Sequence, residues 1–422
     1  MTSEVASADV AREDGAEENR PRGSMRHFWI FTGASAVSKL GNTFLNFAMP
    51  WILLSVTGSG VIAALAFGVQ LAPYALSPVL GVVVDRFNRR RVFIWCEVAQ
   101  CVMVGLLPLM ISDDTVLPVL ALLFLIGCGG LTSELTSDFG LIPALAPADG
   151  LAKAYSRYTT TISLVRFVGP AVVGVVIGSL GPSGALWIDA TTFLVTAAAA
   201  MSLPAHTAAK GETGDFREML AQGLSSFWHL RKVRRLTAAM AVYNLGAGAV
   251  PTVLVVIAQT RWHWSPETTG VVLGLGALGA AAGAWVAPRI ASERGLQQRI
   301  GIWFGVCALG GVLLLFGQPI ALVTGFFLSS MGAGGMNVTT NEYRFNAIPN
   351  ELLGRVNAVI RAAVISGAAL SSVILGYTVS LDDPFVWMAP VAVGALIATA
   401  MWSAQRAQDP PRPELRTSNS EI

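Results

Sequence analysis

Two acidic side chains lie one helical turn apart within a long apolar stretch of the sequence. Glu134 and Asp138 are spaced i, i+4, so in a helix both carboxylates project on one face. Neighbouring carboxylates in a medium of low dielectric repel each other, which favours the uptake of a proton by one of them and suits reversible protonation. Asp138 could instead pair with the arginines at 86–91. The spacing therefore predicts either proton transfer or a structural ion pair, and both interpretations stay open.

Basic side chains also occur deep inside apolar stretches, at Lys39, Arg166 and Arg361. Lys39 begins a helical stripe of polar residues, and a comparable stripe appears late in the chain. The two stripes are Lys39, Asn42 and Asn46, and Asn337, Asn341 and Arg344. Such groups either face a cavity that binds a substrate or form a buried salt bridge between two halves of the protein. Asp189 is interpreted as an ion-pair partner of Arg166.

The elements that carry these residues are apolar segments long enough to cross a bilayer. Hydrophobic residues make up 53% of the 422-residue chain and charged residues only 13%, whereas soluble domains usually carry about 25% charged residues. Apolar runs of about 20 residues match the length of a membrane-spanning helix. We predict an all-α membrane protein with twelve transmembrane helices in two six-helix bundles. The predicted helices are 28–55, 60–84, 91–111, 116–141, 153–179, 184–204, 235–258, 267–288, 299–317, 319–343, 356–380 and 385–405.

The basic residues indicate which side of the membrane each loop occupies. Most lysines and arginines fall in alternate loops and in both tails, which places these segments and both termini in the cytoplasm. An amphipathic stretch from Phe216 to Leu230 indicates a helix lying on the inner membrane surface. The predicted organisation is a disordered cytoplasmic tail (1–27), an N-terminal six-helix bundle (28–204), a cytoplasmic linker with the amphipathic helix (205–234), a C-terminal six-helix bundle (235–405) and a second cytoplasmic tail (406–422).

The two predicted bundles resemble each other weakly at one constant offset. Several residue pairs share this offset and the same position in the topology: Pro147 and Pro349, Gly81 and Gly283, Gly174 and Gly376, and Asn42 and Asn244. Internal repeats of this kind are typical of transporters whose binding site lies between the halves, near the midplane of the membrane. Asn244 therefore joins the candidate cavity residues.

A basic motif follows the second predicted helix. Its residues are Gly81, Asp85, Arg86, Arg89, Arg90 and Arg91. The motif resembles the loop signature of the major facilitator superfamily, Gly-x-x-x-Asp-Arg-x-Gly-Arg-Arg/Lys-Arg/Lys. Asn88 stands where the family has glycine, and asparagine also tolerates a left-handed backbone. By this resemblance, Asp85 sits at the cytoplasmic end of the second helix and faces the positive N-terminus of the eleventh, which locks the halves in the outward-open state. The second half has Ala287 at the aspartate position.

The fifth predicted helix carries a second motif, formed by Arg166, Gly169, Pro170 and Gly174. It is similar to the antiporter motif of the superfamily, Gly-Pro-x-x-Gly-Gly, with Val173 in place of the first glycine of the final pair. In the family this motif accompanies exporters that exchange protons, although glycine and proline could serve helix packing alone. Segments 38–51 and 349–356 resemble the branch that contains the enterobactin exporter and the macrolide efflux proteins. That branch often has aspartate where Asn42 stands.

The resemblance implies a secondary transporter. We expect proton-coupled efflux, by antiport, of a drug-like or secondary-metabolite small molecule through alternating access. The alternatives are a siderophore-type exporter or an importer of the same fold, and a non-transporting membrane sensor. The implied partners are the substrate, protons and the lipid bilayer of a bacterial inner membrane, with a monomeric protein that binds no nucleic acid. The four histidines lack metal-ligand spacing and no nucleophile or phosphate-binding motif occurs, so we expect no metal, no enzymatic activity and no cofactor beyond the proton gradient.

Overall fold

The computed structural model describes residues 25–77, 79–81, 87–145, 151–204, 216–290, 295–349, 352–381 and 383–408. The regular structure in these ranges is helical throughout, and the predicted all-α class is confirmed. Asp85 and Arg86 of the basic motif lie outside the described residues. The same holds for residues 1–24 and 409–422 of the predicted tails and for 205–215 of the predicted linker.

The N-terminal bundle contains the first to sixth spans. Glycine separates the last two, because Leu151–Met201 is one helical run divided at Gly181, whose φ of 74° lies in the left-handed region that suits glycine. The second span starts at a Ser59 cap, whose hydroxyl oxygen accepts a hydrogen bond from the Ile62 amide. The spans are Met25–Thr57; Gly60–Leu71, continued by the 3-10 turn Ala72–Leu76; Arg89–Met110; Val116–Thr136, continued by the π-helical turn Ser137–Leu141; and the two parts of Leu151–Met201.

The C-terminal bundle contains the seventh to twelfth spans and follows a linker helix, Phe216–His229. The seventh span is interrupted at Gly248, where a Cβ atom would lie 2.5 Å from the Cβ of Ala368 in the eleventh span. Only glycine permits this close approach of two helices. The spans are Arg231–Ala247 with Val250–Thr260, Pro266–Val286, Leu296–Leu314, Pro319–Ala347, Leu353–Val379 and Ala389–Gln408.

The described helices satisfy the length and composition that a membrane requires. Eight of them are long and apolar enough to cross a bilayer, and one of the eight covers both the fifth and the sixth spans. Two shorter apolar helices, Gly60–Leu76 and Ala389–Ala404, supply the second and twelfth spans. With the first span these helices make up the twelve-span arrangement. Their outer surfaces carry exposed apolar side chains, as expected where helices face lipid, for example Trp95, Leu117 and Ile320.

The two bundles contact each other through the second and eleventh spans and through the fifth and eighth. Small residues allow the helices to approach. A Cβ atom added at Gly174 would lie 2.6 Å from the Pro266 carbonyl oxygen, and one added at Gly60 would lie 3.1 Å from the side chains of Val256 and Val379. The predicted orientation places these contacts toward the outer ends of the spans. In that orientation the bundles are packed against each other on the outer side.

The linker helix docks on the end of the C-terminal bundle at which the eleventh span begins. Phe227 is buried in a cluster with Val356 of the eleventh span. The Arg355 guanidinium donates a hydrogen bond to the Gln222 side chain on the linker helix. Trp228, by contrast, is exposed. One face of the linker helix thus follows the eleventh span, while an aromatic residue remains available to the membrane surface.

Candidate functional site

A cavity of about 350 Å³ lies between the two bundles and is called the central cavity. Its volume is in the range of sites that bind drug-sized ligands. The first, second and fifth spans form one wall, and the seventh, eighth and tenth spans form the other. Among the described residues that line it, none carries a charge. The apolar contacts come mainly from Phe47, Phe67 and Phe326, and the polar contacts from Thr43, Asn46, Thr252 and Ser330.

A second cavity lies inside the N-terminal bundle and is called the polar cavity. Its volume of about 20 Å³ accommodates one water molecule. Lys39 and Asn42 of the first span line it, together with Glu97 of the third span, Glu134 of the fourth and Tyr158 of the fifth. The fold therefore collects a lysine and two carboxylates from three different spans around a single water-sized space.

The first-span stripe connects these two cavities. Lys39 and Asn42 line the polar cavity, whereas Asn46 is exposed and lines the central cavity. The sequence left open a cavity role or a salt bridge between the halves for this stripe. Within the described ranges, Arg361 rather than Lys39 makes a salt bridge between the halves. The stripe is thus placed along the walls of both cavities.

Glu134 joins the two bundles. Its Oε1 atom is 2.8 Å from Nη2 of Arg361 in the eleventh span. The Tyr74 hydroxyl of the second span donates a hydrogen bond of 2.7 Å to its Oε2 atom, and the guanidinium of Arg361 lies 5.1 Å from the centre of the Tyr74 ring. Each carboxylate oxygen therefore has its own donor, and one of these donors is charged, which makes the contact strong.

Asp138 lies one turn further along the fourth span, in the π-helical turn Ser137–Leu141. The Tyr158 hydroxyl donates a hydrogen bond of 3.4 Å to Asp138 Oδ1. Turns of this type are rare and are frequent at functional sites. Glu134 and Asp138, which the i, i+4 spacing places on one helix face, therefore have different partners. Glu134 contacts the opposite bundle, and Asp138 contacts the fifth span of its own bundle.

The expected ion pair between Arg166 and Asp189 is wrong. Arg166 is exposed, and Asp189 is fully buried beside Gly41 of the first span. The Thr192 hydroxyl next to Asp189 donates to the Asp189 backbone carbonyl at 2.7 Å rather than to the carboxylate. The pairing failed because the Arg166 side chain is exposed whereas the Asp189 side chain is buried against the first span, which spacing along the chain does not reveal.

The other residues of the fifth-span motif pack helices together. Pro170 lines the central cavity. A Cβ atom added at Gly169 would lie 3.3 Å from the Thr43 hydroxyl of the first span. One added at Gly174 would lie 3.1 Å from the Cα atom of Gly270 in the eighth span. The motif therefore fixes the distance of the fifth span from both of its neighbours.

The tenth-span stripe is bonded mainly within its own bundle. Arg344 donates hydrogen bonds to Asn341 Oδ1 at 2.5 Å and to Asn357 Oδ1 of the eleventh span at 3.4 Å. Asn337 is exposed. Asn244 donates to the Met240 carbonyl oxygen of its own helix at 2.9 Å. The central and polar cavities have none of these four candidate residues in their walls.

The described part of the basic motif anchors the start of the third span. Arg90 donates hydrogen bonds to the carbonyl oxygens of Ala200 at 2.9 Å and Met201 at 2.5 Å, at the negative end of the sixth span. Gly81 has open space around it, and Arg89 is the first residue of the third span. Asn88 has a φ of −66°, so the left-handed backbone that asparagine tolerates is not used here.

Asn88 has a structural role of a different kind. The Asn88 side-chain oxygen accepts a hydrogen bond of 3.1 Å from the Arg91 amide and caps the third span. An asparagine followed by the first residues of a helix is a recognisable N-terminal signal in the sequence. The asparagine that stands in place of the family's glycine therefore supplies a helix cap.

Tyr74, Tyr158 and Glu97 were assigned no role from the sequence. Tyr74 had no signal beyond its polarity within an apolar helix. Glu97 did have one, because a glutamate inside a membrane-spanning helix requires a partner. The structure supplies two such partners, the hydroxyls of Ser38 and Ser133. Among the described residues, no group of three or more His, Cys, Asp or Glu is placed to hold a metal ion.

Comparisons with known proteins agree with this architecture. The family model of the Major Facilitator Superfamily matches residues 31–372. The chain is 28% identical to the multidrug efflux pump Tap of Mycobacterium tuberculosis over 48% of its own length, and this match spans about half of that protein, 51%. Against Tap of Mycolicibacterium fortuitum the identity is 25%, over 81% of this chain and 87% of that protein.

Two further similarities cover most of the chain. The enterobactin exporter EntS of Citrobacter koseri is 23% identical over 85% of this chain and 84% of its own length. The crystal structure of a bacterial homologue of the iron transporter ferroportin, in its inward-facing state, superimposes with a TM-score of 0.69 at 17% identity, covering 90% of this chain and 99% of that one. The chain belongs to the Major Facilitator Superfamily, a family of membrane transporters, and has its twelve-span fold.

Proposed function

We propose that this protein exports a drug-like or secondary-metabolite small molecule in exchange for protons, by alternating access. Relatives named as a multidrug efflux pump and as an enterobactin exporter support export. The volume of the central cavity supports a cargo of drug-like size. The observation that carries the proposal is the ion pair between Glu134 and Arg361, because it connects the two bundles and borders the polar cavity.

Proton exchange at Glu134 couples to movement of the bundles. A proton taken up by Glu134 neutralises the carboxylate and removes the charge that attracts Arg361. The bundles then separate on the cytoplasmic side, where the central cavity takes up its cargo. When the proton leaves to the cytoplasm, the carboxylate returns and the ion pair forms again, which closes the cytoplasmic side. The contacts at the outer ends of the spans then separate and the cavity opens outward. Protons thus move inward as cargo moves outward.

Asp138 is the second proton-coupling candidate. It lies one turn closer to the predicted cytoplasmic end of the fourth span than Glu134 does. Its hydrogen bond with Tyr158 connects it to the fifth span of the same bundle. In this proposal Asp138 receives the proton that leaves Glu134 and releases it to the cytoplasm.

The basic motif supplies the gate. The resemblance to the superfamily assigns to Asp85 and Arg86 the lock between the second span and the start of the eleventh. The hydrogen bonds of Arg90 support this assignment, since they hold the start of the third span against the end of the sixth and give the loop a fixed base. Asn46 is the candidate cargo contact that the geometry supports best, because it faces the central cavity.

The proposed membrane location and orientation are supported by charge and hydropathy. The excess of basic residues on one side supports a multi-pass protein of the bacterial inner membrane with both termini in the cytoplasm. The linker helix then lies at the inner surface. Both cavities are formed by one chain, which supports a monomer as the working unit.

A resistance screen tests the proposed function. The wild-type protein and Asp85→Asn are expressed in a bacterium that lacks its own major drug pumps and challenged with chemically diverse compounds, including enterobactin. We expect resistance to some compounds with the wild-type protein and none with Asp85→Asn at equal membrane level. Asp383→Asn is the matched control, because Asp383 is an exposed helix cap and asparagine caps equally well.

The same strains test the coupling to protons. Addition of an exported compound to everted membrane vesicles should dissipate a preformed proton gradient, read with a pH-sensitive dye. In the resistance screen, resistance that persists in Asp85→Asn would contradict the gating role. In the vesicle assay, a compound that is exported without any change in the proton gradient would contradict antiport.

A further inference from the structure

Glu97 is a buried carboxyl group that the function proposed above does not use. It lies in the third span with only 2% of its surface exposed. The Ser38 hydroxyl of the first span donates a hydrogen bond of 3.4 Å to Oε2, and the Ser133 hydroxyl of the fourth span donates one of 2.5 Å to Oε1. Burial of an ionisable group within a membrane-spanning segment is costly and points to a functional role.

The partners of Glu97 fit both of its protonation states. A serine hydroxyl can donate a hydrogen bond to a carboxylate, and after rotation it can accept one from a protonated carboxyl group. Glu134 differs, because the Arg361 guanidinium cannot accept a hydrogen bond and its positive charge favours the carboxylate form of Glu134. Glu97 thus has a site in which a proton can be bound or absent without loss of hydrogen bonds.

The charged and titratable groups around Glu97 come from every neighbouring span. Lys39, Glu134 and Tyr158 line the polar cavity with it, Asp189 of the sixth span interacts with it electrostatically, and Cys96 precedes it in the third span. The single water that the cavity accommodates can bridge Glu97 and Glu134. Ser133 lies next to Glu134 in the chain and hydrogen-bonds Glu97 directly.

We propose that Glu97 binds the transported proton inside the N-terminal bundle and delivers it to Glu134 through the polar cavity. The proton leaves a Glu97 oxygen, crosses the Ser133 hydroxyl or the bridging water, and is bound by the Glu134 carboxylate, whose ion pair with Arg361 then breaks. Glu97 becomes a carboxylate, and the ammonium group of Lys39 balances its charge. This inference rests on the proposed antiport and assigns its proton-donating residue.

A merely structural role is the competing explanation, since Glu97 also ties three spans together. Glu97→Gln separates the two roles. Glutamine has the same size and keeps both hydrogen bonds with the serine hydroxyls, but it cannot bind or release a proton. Glu342→Gln is the matched control, because Glu342 pairs with Arg299 at 2.7 Å between the tenth and ninth spans, within the C-terminal bundle.

The first measurement needs no cargo. Infrared difference spectra of the purified protein, recorded across a pH change in H₂O and D₂O, report the carbonyl stretch of protonated carboxyl groups. We expect one such band to be lost in Glu97→Gln and kept in Glu342→Gln. Persistence of every band in Glu97→Gln would overturn the proposal.

The second measurement uses proteoliposomes and tetracycline. We expect Glu97→Gln to exchange labelled for unlabelled tetracycline at the wild-type rate, while transport driven by a pH gradient falls to the level without a gradient. Gradient-driven transport in Glu97→Gln would overturn the proposal. Loss of both tetracycline exchange and gradient-driven transport would also overturn it. Absence of transport by the wild-type protein would count against the proposed function for this compound, whereas the infrared result still decides whether Glu97 binds a proton.

A second variant guards against a folding defect. If Glu97→Gln fails to accumulate, Glu97→Asp keeps the carboxyl group and changes its distance from both serines. We then expect coupled transport with a shifted pH dependence. An unchanged pH profile in Glu97→Asp would overturn the proposal.

Discussion

Removal of the charge of Glu134 tests the contact between the bundles most directly. Glu134→Gln keeps the size of the side chain and an oxygen that accepts the hydrogen bond of the Tyr74 hydroxyl. It loses the ionic attraction to Arg361. We expect the cytoplasmic side of the protein to open more often, because this ion pair joins the fourth span of one bundle to the eleventh span of the other.

The magnitude follows from the geometry of the contact. The two charged atoms are 2.8 Å apart, and 22% of the Arg361 side chain and 20% of the Glu134 side chain are exposed. Removal of one partner costs about 3–5 kcal/mol for a fully buried pair, whereas exposed pairs contribute about 0–1 kcal/mol. For this partly buried pair we expect about 2 kcal/mol, which changes the ratio of closed to open molecules about 30-fold.

Thiol labelling measures this ratio. The native cysteines are replaced by alanine, and a single cysteine is introduced at Asn46, which lines the central cavity. A membrane-impermeant maleimide added to everted vesicles reaches this position only when the cytoplasmic side is open. We expect Glu134→Gln to increase the labelling rate by up to about 30-fold, the change in the conformational ratio.

Two comparisons make the result decisive. Glu342→Gln removes an ion pair of similar length, 2.7 Å, that lies within one bundle, and should leave the labelling rate unchanged. The double variant with Glu134→Gln and Arg361→Gln should not be labelled faster than the faster of the two single variants, because both changes remove the same contact. Unchanged labelling in Glu134→Gln, or an equal increase in Glu342→Gln, would refute the reasoning.

Two further predictions concern packing and cargo. Gly174→Val forces the fifth span away from Pro266, at a cost of about 1–3 kcal/mol, and should reduce resistance at equal membrane level. Gly33→Ala, with no atom within 4 Å of the new Cβ, is its control, and equal resistance in both variants would contradict the packing argument. Phe326→Ala enlarges the central cavity and should shift the resistance profile toward bulkier compounds; a uniform decrease across compounds would contradict the cavity assignment.

Most helices could be predicted because the runs of apolar residues are long and their boundaries are marked. Pro319 starts the tenth span as expected for proline in a first helical turn. The interruption of the seventh span at Gly248 could not be predicted in this way. Apolar residues continue on both sides of the break, and its position depends on the approach of Ala368 from a helix distant in the chain.

The site was predictable only in part. The i, i+4 spacing identified Glu134 as a residue of interest, since the chemistry of its side chain is visible in the sequence. Its partner Arg361 was not identifiable, because the pair depends on which faces of two separate bundles meet. The same limitation produced the wrong pairing of Arg166 with Asp189, whose helices and separation along the chain were plausible but whose side chains point apart.

The separation of the two cavities explains how one mechanism could serve chemically varied cargo. Charges line the polar cavity, and the described residues around the central cavity are uncharged, so in the proposed mechanism proton transfer places no demand on the charge of the cargo. The link between the cavities is then mechanical. At a rise of about 1.5 Å per residue, Lys39 lies about 10 Å along the first span from Asn46. In the proposed mechanism, a cargo that displaces this helix at Asn46 moves Lys39 relative to Glu97 and Glu134, so cargo binding changes the surroundings of the carboxylates without contacting them.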